Sequence, residues 1–209
     1  MSGKMAVALG SDRGKGLAAA LKALGGMQAF IKPGDRVLIK VNAAFASPPA
    51  VGATTHPELL SAMIRLCQEA GAAQVLVTDN PIQDPAACFN FSGLSQACDH
   101  SGGKLILPSA GSFAALTLEG GQLLRNWPVL FGPFKGVNKL IGVAPVKDHH
   151  RGLLVHEELV RAAGRKPGHF PSKHKPDNIG AGHDGQAHPG GAGRRAEHDG
   201  QWPHRRLLG

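Results

Sequence analysis

Apolar residues recur along this chain with two periods. In "KGLAAALKALGG", Leu17, Leu21 and Leu24 fall on one helical stripe, and Gly25–Gly26 stops it. "TTHPELLSAMIRLCQEAG" is the clearest helix: Thr55 and Glu58 have capping-box spacing, Pro57 lies in the first turn and Gly71 ends it. "FSGLSQACDHSGG" predicts a shorter helix. Between these lie short apolar runs that read as strands: "MAVALG", Arg36–Val41 within "KPGDRVLIKVN", Gln74–Thr78 within "AAQVLVTDNP", "KLILP" and "NKLIGVAP". "LTLEGGQLL" predicts a hairpin turning at Gly120–Gly121. The runs "VLIKV" and "VLVT" are apolar on both faces, as buried parallel strands require. Strand alternating with helix predicts an α/β fold: an open, mostly parallel sheet with helices on both faces and a β-hairpin insertion.

After Arg151 both periods vanish. Gly, His, Arg and Pro dominate, and seven of the 11 histidines fall there. The expected organisation is an α/β domain over 1–151 and a disordered, low-complexity tail over 152–209. The net charge of +8 is +4 over residues 1–150 and +4 over the much shorter 151–209, so the body is only mildly basic. As a functional element, the tail has two readings. Its histidines suit metal, but they are irregularly spaced and diluted by glycine. Arg165, Arg194, Arg195, Arg205, Arg206 and Trp202 suit nucleic acid.

Cys67, Cys88 and Cys98 form no CxxC pair, so no zinc-knuckle or cluster motif is present. Such a sparse, odd set fits a reducing compartment. The N-terminus has no long apolar stretch, and no run reaches the roughly 18 apolar residues of a membrane span. The expectation is a cytoplasmic protein without a membrane partner.

In open α/β sheets ligands bind beyond the carboxyl ends of the strands. Three predicted strands end in polar residues: Lys40 and Asn42; Asp79 and Asn80; and Lys147, Asp148, His149 and His150. Thr54 and Thr55, at a helix N-terminus, add donors for an anion. Each has a plain structural reading: a snorkelling lysine, an Asp-Asn-Pro turn, a helix cap, an exposed loop. What raises them above it is convergence, because parallel strands bring these ends to one rim. The residue types there admit a divalent metal held by His149, His150 and Asp79. They equally admit a carboxylate or phosphate held by Lys40 and Lys147, and proton transfer by His149 with Asp79. Catalytic roles would therefore fall to Asp79, Lys147 and His149, and ligand binding to Lys40, Asn42, Thr54, Thr55 and Asn80. No GxGxxG, Walker loop or nucleophile elbow is present.

Taken in order, "GDRVLIKVN", "ATTHPELLSAMIRLCQEAGA", "VLVTDNP", "FSGL" and "VAPVKDHH" resemble the family known only as domain of unknown function 362. The resemblance runs from about Met5 to Arg151. One departure is Val41, where members usually carry proline. The resemblance implies an α/β fold and a shared site of Lys40, Asn42, Thr54, Thr55, Asp79, Lys147 and His149. It supplies no reaction. Some members carry ferredoxin-like iron–sulfur modules or twin-arginine export signals. Analogy with those members alone admits an iron–sulfur cofactor or redox partner, and a twin-arginine signal in place of the cytoplasmic expectation, though this chain shows neither motif.

Members of that family continue with a Met-Lys-Asn stretch, a Phe-His pair and an Asn-Gly-Pro-x-Gly-Gly loop, none of which follows here. Shifted by one nucleotide, the codons for His156-Glu157-Glu158-Leu159 admit Met-Lys-Asn, those for "HFPSKHK" admit FHQNIN, and those for "QWPHRR" admit NGPTGG. These motifs fall in family order in a single frame. The expectation is a frameshift near Arg151–Leu153, a truncated family member, and a tail that binds neither metal nor nucleic acid by design.

Overall fold

The computed structural model describes residues 4–117, 119 and 125–146. Strand β1 (Arg36–Val41) lies at the centre of a four-stranded parallel sheet with β2 (Gln74–Thr78), β3 (Lys104–Leu105) and β6 (Lys139–Val143), in the order β3-β2-β1-β6. Strands β4 (Phe113–Leu116) and β5 (Trp127–Leu130) form a separate antiparallel pair, with Phe113 opposite Leu130 and Leu116 opposite Trp127. The predicted turn at Gly120–Gly121 lies outside the described residues. So do the predicted tail and the residues from Lys147 onward.

Helices α1 (Arg13–Ala23), α2 (Pro57–Glu69), α3 (Pro85–Phe91) and α4 (Leu94–His100) connect the strands. Asp12 caps α1 by accepting from the Lys15 amide. Asp84 caps α3 through the Ala87 amide, with Pro85 in the first helical position. Gly71 ends the α2 region with φ 95°, and a Cβ there would stand 3.0 Å from the Pro33 Cα, so the close approach and the backbone both select glycine.

One core holds these layers together. Val37, Ile39 and Val41 of β1 and Val75 and Val77 of β2 point to the same face, where Leu60, Met63, Ile64 and Cys67 of α2 meet Phe89, Leu94, Ala97 and Cys98. Leu17 and Leu21 of α1 pack against the same cluster. Full burial of each large side chain stabilises the fold by about 1.5–3 kcal/mol relative to exposure. The alternate residues Leu38 and Leu76 are buried as well, at 0% and 4% exposure, so the sheet centre is dry on both faces, as its uninterrupted apolar runs predict.

Two sequence readings need correction. "MAVALG" is not a strand here. Residues 4–10 have no regular structure, and Met5, Val7 and Leu9 are 87%, 75% and 96% exposed. The segment pairs with no strand here, and strand propensity alone does not order it. Thr55 is not the cap of α2. With Pro57 in the first helical position, the cap falls on His56, whose Nδ1 accepts from the Glu58 amide at 3.3 Å.

Candidate functional site

Strands β2, β1 and β6 are adjacent and parallel, with Lys40 paired beside Thr78 on one flank and Gly142 on the other. Their carboxyl ends therefore meet at one rim. Lys40 is the penultimate residue of β1 and is 1% exposed. Its ammonium lies 2.7 Å from Asp79 Oδ1 and donates to the Val41 carbonyl at 3.0 Å. Asp79, 3% exposed, follows β2 directly. Its Oδ2 accepts from the Ala43 amide at 2.6 Å, and its Oδ1 from the Asn80 amide at 2.8 Å. The carboxylate thus fixes the loop after β1 to the loop after β2 while neutralising a cation in the protein interior.

A second knot lies beside the first. Thr55 Oγ1 donates to the carbonyl of Val143, at the end of β6, at 2.6 Å and accepts from the Asn42 amide at 2.8 Å. The Thr55 amide returns a bond to the Asn42 carbonyl at 2.8 Å. The loop leading into α2 is tied in this way to the ends of both β1 and β6. Thr54 is 4% exposed, and its hydroxyl is shut off from solvent with no hydrogen-bond partner among the described residues. It is a buried neighbour of the cluster rather than an open donor for a ligand. Asn80, next to Asp79 in the loop after β2, is half-buried.

Of the residues expected from sequence, Lys40, Asn42, Thr54, Thr55, Asp79 and Asn80 are therefore placed at the ends of neighbouring strands or in the adjoining loops. Lys147, His149 and His150 lie outside the described residues. His56 is the residue that sequence reasoning missed. The signal for it was available, because a residue before a proline in the first helical position is itself the cap.

The donor chemistry bears on metals and clusters. Both Asp79 oxygens are already engaged, one of them by an ammonium, so this carboxylate is a poor metal ligand as it stands. Among the described residues no three His, Cys, Asp or Glu side chains gather to hold a metal. The cysteines are free and buried. Burial pushes the thiols of Cys67 and Cys98 up to about 11, which disfavours the thiolate that cluster ligation needs. The residues described do not fit an iron–sulfur group.

The family model described as Domain of unknown function (DUF362) matches residues 37–154, which span β1 through β6 and the rim between them. The chain belongs to this family. Over 51 residues it is 49% identical to the Thylakoid-associated protein sll1697 of Synechocystis sp.. That stretch is 24% of this chain and 16% of the relative's length. No solved structure matches the chain.

Proposed function

We propose that the rim at the ends of β1, β2 and β6 is a binding site for a small anionic ligand bearing a carboxylate or phosphate. The supporting observation is the burial of Lys40, Asn42, Thr55 and Asp79 to 3% exposure or less at three adjacent strand ends. A desolvated ion pair is rarely the most stable filling for such a place. Its presence suits a part that fixes loop geometry. In this reading Lys40, Asp79, Asn42 and Thr55 are positioning residues. Asn80, with Lys147 and His149 beyond β6 in sequence, supplies the ligand contacts. The anion is favoured over a divalent metal because Asp79 is already committed to Lys40. Any proton transfer would fall to His149, and a redox role rests on family analogy alone.

Titration calorimetry of the full chain with inorganic phosphate and with malonate tests this reading. One of them binds, and Asn80→Ala and Lys147→Ala weaken it at least tenfold with an unchanged melting temperature. Neither anion binding, or both variants binding normally, would refute it.

We also read residues 152–209 as an out-of-frame product of a longer gene. The family match ends at residue 154, where apolar periodicity stops. Resequencing the genomic DNA across codons 140–209 should reveal one gained or lost base near codon 151. A confirmed frame, with an intact mass for the native protein that includes this tail, would overturn it. No described helix is long and apolar enough to cross a membrane. The buried free thiols suit a cytoplasmic placement, whereas the relative's name places that protein at a thylakoid.

A further inference from the structure

Strand β6 ends the sheet: one edge pairs with β1, and no described strand covers the other. Beside that edge runs a groove of about 570 Å³ lined chiefly by apolar side chains, Leu21, Met27, Phe30, Ile31, Leu140 and Ile141 among them. The groove is rimmed by the C-terminal end of α1 and by β6 itself. Leu140 is 45% exposed, whereas Ile141 beside it packs against the core. An edge of this kind, with open backbone groups beside apolar surface, is a template for another strand.

The chain carries a segment of the right kind. In residues 4–10, Met5, Val7 and Leu9 alternate with Ala6 and Ala8, and all three large side chains are at least 75% exposed. No residue of this segment lines the groove. Topology decides where it belongs. Helices α2 and α4 serve the connections from β1 to β2 and from β2 to β3, and both pack into the cluster on one face of the sheet. Helix α1 packs against the same cluster, contacting α2, and Leu21 reaches the groove over β6. The helical layer therefore runs α4, α2, α1 toward β6. About 98% of parallel crossovers are right-handed. A strand that precedes α1 and feeds β1 through it must then lie on the β6 side of β1. Because β6 holds the place next to β1, the remaining place is the open edge of β6. The link from Leu9 to the start of α1 at Arg13 is Gly10-Ser11-Asp12, a three-residue connection of the usual strand-to-helix length.

We infer that Met5–Leu9 is a strap that closes onto β6 as a fifth parallel strand, placing Met5, Val7 and Leu9 in the groove beside α1. The structure presents it open. The closed form extends the sheet order to β3-β2-β1-β6 followed by the N-terminal strand, and it braces β6 on both edges.

Hydrogen–deuterium exchange of the full 209-residue chain tests the strap, with the peptide covering β2 as internal reference. In the wild type, the Met5–Leu9 peptide should exchange at least tenfold more slowly than an unstructured chain. Val7→Pro, which removes a strand amide, should abolish that protection and speed exchange in the β6 peptide at least tenfold while β2 is unchanged. Lys4→Pro, at the margin of the segment, should change neither, and Ala8→Val should slow both. A Met5–Leu9 peptide exchanging at the unstructured rate would overturn the inference, as would equal changes in β6 and β2. Protection that rises with protein concentration would also overturn it, because the segment would then be docking onto a second copy.

Discussion

The two ends of the sheet carry similar devices in different surroundings. At the amino ends, Asp35 accepts from the Lys32 amide at 2.7 Å and from Asn138 Nδ2 at 2.8 Å, with the Lys139 ammonium 3.8 Å away. At the carboxyl ends, Asp79 accepts from Ala43 and Asn80 and holds Lys40 at 2.7 Å. Both aspartates tie neighbouring strands together, Asp79 through the Ala43 amide and Asp35 through the Asn138 side chain. They differ in the cation. The Lys139 side chain is 37% exposed and partly solvated, whereas that of Lys40 is fully buried. Water reaches the first lysine, whereas the second is sealed from it. A polar staple at a strand end is thus ordinary architecture, and a sealed one marks the end where geometry is held most tightly.

The sharpest way to break this comparison is Asp79→Ala. It removes a carboxylate 2.7 Å from a fully buried ammonium and should cost about 3–5 kcal/mol, read from urea denaturation. Replacing the pair together, as Lys40→Met with Asp79→Leu, should recover most of that loss while disturbing the loops after β1 and β2. If the single variant costs under about 1 kcal/mol, the sealed pair is no different from its exposed counterpart.

Thr55→Val comes next. It strips a bond from the Val143 carbonyl and a partner from the Asn42 amide in a dry setting, and should cost roughly 1–3 kcal/mol by the same measurement. Preferential loosening at the end of β6, seen in amide exchange, would show that this hydroxyl ties α2's entry loop to the rim.

The smallest effect is at Asp35. The Lys32 amide, with help from Asn138 and Lys139, holds its carboxyl below the ordinary 3.8 despite some opposing desolvation. A lowered folded-state value means the stabilisation is present above about pH 4 and is lost as pH falls through the folded value. The melting-temperature gap between wild type and Asp35→Asn should therefore narrow below pH 4. A constant gap down to pH 2 would assign the effect to packing instead.

Much of this fold was legible in the sequence. The runs that became β1 and β2 were apolar on both faces, and α2 carried a long helical stripe, so the parallel sheet and the meeting of Lys40, Asp79, Asn42 and Thr55 followed. What was not legible depends on tertiary neighbours. The charge on Lys40 suggested a group reaching toward ligand or solvent. That it turns instead onto Asp79 depends on the strand order, which no local pattern encodes. Thr55 had capping-box spacing, yet its hydroxyl serves Val143, 88 residues away. The short helix α3 escaped because its seven residues hold too little period to register, although Asp84-Pro85 marks its start. Met5–Leu9 shows the converse, a local strand pattern that pairs with no strand in this structure.

The strand order also sets a schedule for synthesis. The Arg36 amide meets the Asn138 side chain across 102 residues, so β6 cannot enter the sheet until most of the described chain has left the ribosome. The bond between Lys40 and Asp79 needs only the first 79 residues. A nascent chain can therefore bury its ion pair between β1 and β2 early and hold the neighbouring slot vacant. Thr55 closes the rim only when Val143 arrives. A change of reading frame beyond that point would reach a ribosome whose product already holds all four strands of the parallel sheet.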